Sequence, residues 1–418
     1  MRAPGRIGTA LAERPAARER ARQVAAGLMA LALAASPSYV VRPHFGPLPS
    51  TVLEILLVVA IAAGLYAYWD ELPWRSPYMW PAALLAVAAT IDTIVAPDRR
   101  AAAGLWKAYF VEPMLAGVVV AAMARERSRA RLLLAGLAVA GTVAALVNIA
   151  DAALAVGRHT FNEVTPPVAI YNSANAIPLY LEPLVAFALA VFFFSDDHRE
   201  RVVAAAFTAV AAVAIFLSFS RAGWLTLAAL VFFVALFSRW RWPVLAGTVA
   251  LAGLLFAASG SVRHRVLVEF DPASPQNTMG LRMSLWKSTL NMLSHNSLFG
   301  GGLSGFKASI LPYKDPAYHE DLIYPHNVLL NFWSETGLLG LAAFIWLMVQ
   351  TVRTALRGLA QGPWPRAMAI GLLGLALSFA IHGIVDLPYF KNDQALAFWT
   401  LVGVQFASLR PVSREASP

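Results

Sequence analysis

The sequence predicts an all-α, polytopic integral membrane protein with about 12 transmembrane helices and one long loop on the outer side of the membrane. Of its 418 residues, 58% are hydrophobic and 14% are charged, whereas a soluble domain has roughly 45–50% apolar and 25% charged residues. Mean hydropathy is +0.60. Several uncharged stretches reach the length, about 17 to 20 residues, that crosses a hydrocarbon core of roughly 30 Å as a helix. The composition excludes an ordinary soluble enzyme.

The apolar segments follow one another through short polar links, with one exception. Between Ser261 and Gly337 the chain carries its one long polar interruption, most of which is the loop 261–326. If each apolar segment is one helix, the chain crosses the membrane about twelve times. The segments lie at residues 24–41, 51–68, 79–96, 101–124, 132–156, 175–195, 202–218, 222–238, 243–260, 327–350, 367–386 and 394–409.

The distribution of arginine orients these helices, because cytoplasmic loops carry an excess of Lys and Arg. Alternate links hold most of the arginine, so the opposite links, including loop 261–326, face outward. Arg99 and Arg100 in one outer link run against this rule. The orienting residues are Arg125, Arg127, Arg129, Arg131, Arg199, Arg201, Arg239, Arg241, Arg353, Arg357, Arg366, Arg410 and Arg414. In a Gram-negative cell the long loop is then periplasmic and the protein lies in the bacterial inner membrane.

The predicted organisation is a cytoplasmic tail at 1–23, a single transmembrane domain at 24–409 and a cytoplasmic tail at 410–418. A cleaved signal peptide is the alternative for the first helix, since small residues at 34–36 follow a short apolar core. The formal net charge of +9 is explained by the cytoplasmic arginines and does not indicate a nucleic-acid partner. Cysteine is absent, which excludes disulfide and thiolate chemistry.

Arg221 lies at a tight outer turn between two apolar segments, in the run Leu217-Ser218-Phe219-Ser220-Arg221-Ala222-Gly223-Trp224, with no acidic residue near it in sequence. An arginine at a membrane edge often extends to the lipid headgroups. The alternative is a functional role, because its planar, permanently charged fork matches a phosphate.

Arg282 and Trp286 are four residues apart and share one face if Leu281 to Leu293 is a helix. The polar residues Ser284, Lys287, Ser288 and Asn291 then oppose Leu281, Leu285, Leu290 and Leu293, and such a helix can lie on the membrane surface. Arg282 falls on the apolar side, so we expect it to point toward the membrane helices. It either extends to headgroups or acts as a second arginine for a pyrophosphate, whose charge one guanidinium neutralises only in part.

His326 follows Pro325 where the next apolar helix is predicted to begin. The partial positive charge of a helix N-terminus disfavours imidazolium, and a neutral imidazole can accept a proton from a hydroxyl. The alternative is an interfacial or capping histidine. Its position beside Tyr324 and Asn327, at the end of the long loop, favours function.

Three further ionisable residues lie within predicted helices. His382 and Asp386 are four apart near an outer helix end and can pair on one face, either in a site or as a structural lock. Lys107 is a weaker candidate, because it can simply pair with a neighbouring helix.

The glycines at 300–302 and 305 are interpreted mainly as a bend, since no phosphate-loop pattern is present. Neither a metal site nor a cofactor is expected, because the outer acids form no recognisable ligand pattern.

The combined motifs resemble the O-antigen ligase family, which shares a domain with O-antigen polymerases and O-linking oligosaccharyltransferases. The resembling parts are Ser220-Arg221-Ala222-Gly223, Arg282 with Trp286, Phe299-Gly300-Gly301-Gly302, and His326-Asn327 leading to Glu335-Thr336-Gly337. They are moderately specific together and weak singly, and the likeness is strongest over the second half of the chain.

The resemblance implies a metal-independent, inverting glycosyltransferase of lipopolysaccharide biosynthesis. Its donor is a glycan on undecaprenyl pyrophosphate, its acceptor is the lipid A core, and its surroundings are membrane lipids. By that resemblance Arg221 and Arg282 bind and stabilise the pyrophosphate, His326 activates the acceptor hydroxyl, and Asp386 lies near a functional acid. Trp286, Tyr324, Asn327, His382 and Lys107 complete the expected substrate site.

Three alternatives remain at this stage. An O-antigen polymerase uses the same donor, and an O-linking protein oligosaccharyltransferase is a third enzyme. A twelve-helix transporter fits the helix count but explains neither the long outer loop nor the histidine and arginines at the outer edge, because transporters hold their charged groups near the membrane midplane.

Overall fold

The structure is a computed structural model that describes residues 15–45, 48–171, 173–271, 274, 276–315 and 323–409. The predicted C-terminal tail 410–418, the first part of the predicted N-terminal tail and residues 316–322 of the long loop lie outside the described residues.

The described chain is almost entirely helical, apart from an antiparallel pair of two-residue strands, β1 (His44–Phe45) and β2 (Leu48–Pro49). The α-helices are α1 (Pro15–Ala34), α2 (Val52–Tyr68), α3 (Met79–Val95), α4 (Arg99–Leu105), α5 (Glu112–Met123), α6 (Arg127–Gly157), α7 (Ala176–Phe194), α8 (His198–Leu217), α9 (Arg221–Leu236), α10 (Arg241–Ala258), α11 (Gly260–Leu267), α12 (Thr278–His295), α13 (Phe306–Ile310), α14 (Val328–Gly358), α15 (Pro363–Ile381) and α16 (Asn392–Ser408). A π-helical segment, Trp106–Val111, joins α4 to α5.

The structure confirms the all-α class, and each of the twelve predicted apolar segments falls on helix. Within the described residues, 8 helical stretches are long and apolar enough to cross a membrane, and α3 and α9 are apolar but shorter. The count of twelve spans and the side faced by the long loop therefore stay predictions. The eight stretches are Val52–Glu71, Arg99–Met123, Arg127–Gly157, Ala176–Phe194, His198–Leu217, Arg241–Ala258, Val328–Gly358 and Pro363–Ile384.

The first helix begins earlier than its apolar segment predicts. Residues 15–23, which the sequence assigns to a tail, form the first turns of α1. Arg22 pairs with Glu71 at the end of α2, and Glu19 accepts a 2.6 Å hydrogen bond from Arg129 of α6. These ion pairs extend α1 because they hold its polar turns against two neighbouring helices.

The core of the bundle is formed by α5, α7, α15 and α16. α7 packs along α15, and α16 packs along α5. At the second contact the backbones nearly touch, because a Cβ added at Gly117 would lie 3.0 Å from the carbonyl oxygen of Trp399. By contrast α10 has no buried residue, so it lies at the edge of the described bundle.

The long polar segment folds into short helices instead of an open loop. α11, α12 and α13 succeed one another, and a separate small apolar cluster holds α12 to α13. The predicted helix over 281–293 is present as α12, with two differences. Leu290 is 49% exposed, and Met292 takes its place on the buried face, while Ser288, predicted on the polar face, is buried. The cluster consists of Leu285, Met292, Leu293, Phe306 and Ile310.

Glycines join this segment to α14, as their interpretation as a bend predicts. Gly300 and Gly302 have φ angles of +59° and +75°. The Gly301 N–H donates to the carbonyl of Ser334 at 2.8 Å, and the Leu338 N–H donates to Leu298 at 3.1 Å. α14 kinks here, at Thr336 and Gly337. The glycine turn and the kink therefore interlock.

Gly337 is the tightest point of this joint and generates a stability prediction. Its φ of +62° and ψ of −176° belong to a region that only glycine adopts readily, and a Cβ would lie 2.1 Å from the Leu298 carbonyl oxygen. Gly337→Ala should cost at least about 1–3 kcal/mol of stability, measured as a lower melting temperature of the purified protein.

The control is Gly253→Ala in α10, where an added Cβ meets nothing within 4 Å. Alanine is a better helix former than glycine by about 1 kcal/mol, so this variant should melt at or above the wild-type temperature. Equal melting temperatures for the two variants would contradict the interlock.

Candidate functional site

Arg221 is presented by a tight corner between α8 and α9. Phe219 adopts a left-handed φ of +51°, and Ser220 caps α9 by accepting a 3.2 Å hydrogen bond from the Gly223 N–H. Trp224 stacks on Phe216 with ring centroids 5.5 Å apart. The sequence run around Arg221 is thus a rigid corner, and the strained residue next to the arginine is of the kind that clusters at functional sites.

The Arg221 guanidinium is fully engaged by the long polar segment. Nη2 lies 2.6 Å from Glu269 Oε1 and donates to Thr278 Oγ1 at 2.9 Å. Nη1 donates to the carbonyl of Arg265 at 3.2 Å. Arg221 has no acidic residue near it in the sequence, but the fold brings Glu269 next to it.

Arg282 joins the same cluster from α12. Its Nη1 donates to Thr278 Oγ1 at 3.3 Å, so both guanidinium groups reach one hydroxyl. Arg221, Arg265 and Arg282 lie close enough to interact electrostatically, with Glu269 as the acid among them. Glu163 also interacts with Arg265, and three cations against two acids still leave a net positive charge, which suits an anionic ligand.

Trp286 ties α12 to the turn that carries His326. Its indole Nε1 donates to the Pro325 carbonyl at 3.1 Å. In the same turn the rings of Tyr324 and His326 meet edge to face, 4.8 Å apart. The predicted shared face of Arg282 and Trp286 thus faces the arginine cluster at one end and the histidine turn at the other.

The sequence predicts that His326 lies in the first turn of a helix, but in the structure His326 precedes that helix. Asn327 is the N-cap of α14, accepting from the N–H groups of Leu329 and Leu330 at 3.0 Å each, and His326 precedes it with a left-handed φ of +48°. The cap displaces the helix start to Val328 because asparagine satisfies the free N–H groups better than proline can. The Asn327 amide also donates to the Ile384 carbonyl at 2.9 Å, so its polar atoms are occupied.

Asp386 is the partner of His326. The buried Nδ1 of His326 lies 3.4 Å from Asp386 Oδ1. That carboxylate also accepts from the Leu387 N–H and from Asn175 Nδ2, each at 3.0 Å. Burial disfavours its ionised form, but the contact with His326 and the positive charges of His382 and Arg282 outweigh this and hold the pKa of Asp386 below its ordinary value.

His382 is not paired with Asp386. The helix ends in a 3₁₀ turn at His382–Ile384, and the Asp386 N–H still donates to the His382 carbonyl at 2.9 Å, so it is the two side chains that take different partners. His382 Nδ1 instead lies 2.8 Å from Glu182 Oε1, and both side chains are 1% exposed. His382 therefore acts on Asp386 as a nearby charge, while its own contact fixes α15 to α7.

Lys107 forms an ion pair with Glu54 at the start of α2. It lies in the π-helical segment before α5, and such segments often occur at functional sites. This pair matches the alternative the sequence leaves open for Lys107, a contact with a neighbouring helix.

Tyr324 and Asp386 line a small cavity of about 20 Å³ together with Asn175 and Lys391. Burial, together with the nearby Asp386 charge, raises the pKa of Tyr324 to about 12. Tyr324 is therefore a neutral phenol at neutral pH and offers a hydrogen-bond donor beside the His326 ring.

An apolar groove of about 460 Å³ begins beside this site. It runs between α14 and α15, from Asn327 and Ile384 next to His326 and Asp386 to Arg353 far along α14. Four of its residues, Leu329, Ile345, Val349 and Ile384, are at least 40% exposed, so the groove opens sideways on the bundle surface. Phe332 stacks on Phe344 with ring centroids 3.9 Å apart, so the kink folds the start of α14 back beside the groove. The groove therefore extends along α14 from Phe344 to Arg353, which at a rise of 1.5 Å per residue is about 14 Å, roughly half the thickness of a bilayer core.

The structure brings together most of the predicted site, with four residues that the sequence analysis does not single out. Nothing in the sequence beyond a place in the outer segments indicates a role for Glu269, Arg265 or Asn175, because their partners are distant in the chain. The sequence does indicate a role for Glu182, since an ionisable residue inside an apolar segment is a functional candidate by default.

The arrangement combines two chemical capacities at one end of the bundle. The arginine cluster can hold a multiply charged anion. The imidazole of His326, 27% exposed and backed by a carboxylate, can accept a proton from a hydroxyl. The α12 helix links the two and keeps them at a fixed spacing.

Comparison with known proteins confirms the resemblance stated from the sequence. The model of the O-antigen ligase family matches residues 204–345. The match includes Arg221, Arg282, Trp286 and His326, whereas His382, Asp386 and Lys107 lie outside it. A search of the curated proteins found no match to this chain.

The arginine cluster generates a binding prediction with inorganic pyrophosphate as the probe. Arg221→Ala should weaken binding about tenfold or more, since hydrogen bonds to charged groups contribute about 1.5–3 kcal/mol. Arg221→Lys should restore only part of it, because lysine lacks the planar fork. Glu269→Gln should tighten binding by up to about fivefold, because it removes a competing partly exposed ion pair.

Isothermal titration calorimetry measures all three variants, with Arg263→Ala as the control. Arg263 lies on α11 near the cluster, but it is exposed and donates to the Ala257 carbonyl. Unchanged binding in Arg221→Ala, or an equal loss in Arg263→Ala, would refute a specific anion site at Arg221.

Proposed function

We propose that this chain, whose residues 204–345 match the O-antigen ligase family, transfers a glycan from undecaprenyl pyrophosphate to the lipid A core oligosaccharide. The reaction takes place at the periplasmic face of the bacterial inner membrane and inverts the anomeric centre. One observation carries the proposal: His326 with its carboxylate partner and the Arg221–Arg282 cluster lie at one end of a laterally open apolar groove.

The donor's diphosphate binds at the arginine cluster. Arg221 and Arg282 share the hydroxyl of Thr278 in the described structure, and this hydroxyl and the Glu269 carboxylate give way to phosphate oxygens. Two guanidinium groups neutralise the developing charge of the departing pyrophosphate better than one. The cluster therefore acts on the leaving group.

The donor's polyprenyl tail lies in the groove between α14 and α15. The groove walls are apolar apart from Asn327 at one end and Arg353 at the other. A tail in this groove places its diphosphate beside the N-cap of α14, next to His326. Since the groove opens sideways, the donor enters from the bilayer without passing through the protein.

His326 acts as the general base. Ionised Asp386 faces Nδ1, which favours the tautomer with the proton on Nδ1 and leaves Nε2 to accept one from the acceptor hydroxyl. The acceptor oxygen forms a bond to the anomeric carbon as the bond to pyrophosphate breaks. The leaving group departs with the electron pair, and Asp386 stabilises the imidazolium. No step is assigned to a metal or a cofactor.

The remaining expected residues have supporting roles in this proposal. Trp286 positions the His326 turn through its hydrogen bond to Pro325, and Tyr324 offers its phenol to the sugar. His382 supports the charge of Asp386, and Lys107 is assigned a structural pair with Glu54. Asn327 holds the groove mouth through Ile384 and does not contact substrate.

The decisive experiment separates the acceptors. Purified protein in liposomes receives an undecaprenyl-pyrophosphate-linked glycan with lipid A core, a second lipid-linked glycan or an acceptor protein, each in the presence of EDTA. We expect the lipid A core to be extended, detected by mass spectrometry. Extension of the lipid-linked glycan alone would identify an O-antigen polymerase, and transfer to a protein would identify an oligosaccharyltransferase.

Replacement of the base provides the mechanistic test. His326→Ala should lower the rate of transfer at least about 100-fold, the usual contribution of a general base, while donor binding remains within about threefold of wild type because the arginines are intact. Single-turnover assays on the preformed donor complex measure the rate of transfer, and titration with the donor measures its affinity.

His264→Ala is the matched control, because His264 is exposed on α11 in the same polar segment. It should transfer at the wild-type rate. Normal transfer by His326→Ala would remove His326 from the chemistry, whereas a parallel loss of donor binding would make it a binding residue instead.

A further inference from the structure

A second cleft lies at the opposite end of the bundle from His326. Arg201 is near the start of α8, whereas Arg221 follows its end, and a 20-residue helix spans about 30 Å. Arg239 follows the end of α9, and Arg366 is near the start of α15. Together these three arginines line one cleft of about 820 Å³.

The rest of the cleft wall is aromatic. Phe192, Phe193 and Phe194 end α7, and Phe237 and Trp240 come from the connection between α9 and α10. No carboxylate is among the residues that line it. The cleft therefore combines positive charge with apolar rings, which is the composition of a site for an amphiphile with an anionic head.

The arginines are held in position without an acid. Arg201 Nε donates to the Phe192 carbonyl at 3.0 Å, and Arg366 lies over the Phe194 ring at 5.5 Å from its centroid. Arg239 lies over Trp240 at 5.2 Å. In the part of the chain that the structure describes, none of the three forms an ion pair, so most of their N–H donors remain available.

A neighbouring cavity at the same end shows the contrast. Its arginine Arg131 lies 3.3 Å from Asp197 and also pairs with Glu200, and Arg127 lies 3.4 Å from Glu200. Asp197 and Glu200 thus supply counter-charge to Arg131 in that cavity, which Arg199 also lines. The cleft with Arg201, Arg239 and Arg366 has no such internal counter-charge.

We propose that this cleft binds the phosphate-bearing headgroup of an anionic phospholipid, with the acyl chains lying along the phenylalanines of α7. Charge complementarity selects an anion, and the aromatic wall selects a ligand with apolar chains over a soluble phosphate. The arginine-rich end of membrane helices lies where anionic lipid headgroups collect. This inference is independent of the transfer reaction proposed above.

The test uses the purified full chain and native mass spectrometry with dioleoyl phosphatidylglycerol as the probe. The triple variant R201Q/R239Q/R366Q should bind it about 100-fold more weakly, since each basic residue near an anionic headgroup contributes about fivefold. Dioleoyl phosphatidylcholine, with the same chains and no net charge, should bind wild type at least about tenfold more weakly than phosphatidylglycerol.

The control triple R199Q/R241Q/R357Q removes the same number of charges from the same end, at exposed arginines that do not line the cleft. It should retain affinity within about threefold. An equal loss in both triples would show that the charge effect is diffuse and overturn the site. Equally tight binding of glycerol phosphate would make the ligand a soluble anion and also overturn it.

If the triple variant fails to fold, the single variants keep the proposal falsifiable. R201Q, R239Q and R366Q should each weaken phosphatidylglycerol binding about fivefold, whereas R241Q should not. Single variants that all bind like wild type would contradict the proposal.

Discussion

The close approach of the Leu298 carbonyl to Gly337 is the constraint on which the candidate site depends. It locks the polar segment onto the kink of α14, where only a glycine fits. With that joint closed, α12 lies beside the turn that begins α14, and its indole at Trp286 reaches the Pro325 carbonyl. The glycine and Glu335-Thr336-Gly337 motifs therefore contribute to the candidate site indirectly, by fixing the position of the helix that carries Arg282.

The two halves of the candidate site are built on different physical grounds. The arginine cluster is a net positive, partly exposed group whose polar partners include Glu269. In the histidine half Asp386 is buried and accepts hydrogen bonds from Asn175 and the Leu387 N–H, whereas the His326 side chain beside it is 27% exposed. An anion can therefore replace a partner in the first half, whereas the second half is set before any ligand arrives.

Sequence reasoning found the helices, the polar segment and the principal side chains, because apolar length and charge placement act locally. It could not find the pairings. Arg221 and Thr278 are 57 positions apart, Glu182 and His382 are 200 apart, and Asn175 and Asp386 are 211 apart. It also offered a pair between His382 and Asp386, because helical spacing does not show that each side chain has a partner from a distant element, Glu182 for His382 and His326 for Asp386. The start of α14 was misplaced because Asn327, not Pro325, caps the helix.

The lateral opening of the groove between α14 and α15 has a consequence for the size of the substrate. A lipid that enters from the side keeps its glycan outside the helix bundle, so the glycan is not threaded through a pore. Under the proposed function, a short oligosaccharide and a polymer of many repeats dock by the same tail and diphosphate. The groove then cannot distinguish glycans of different length. The length of the glycan must therefore be set in the reactions that build the donor.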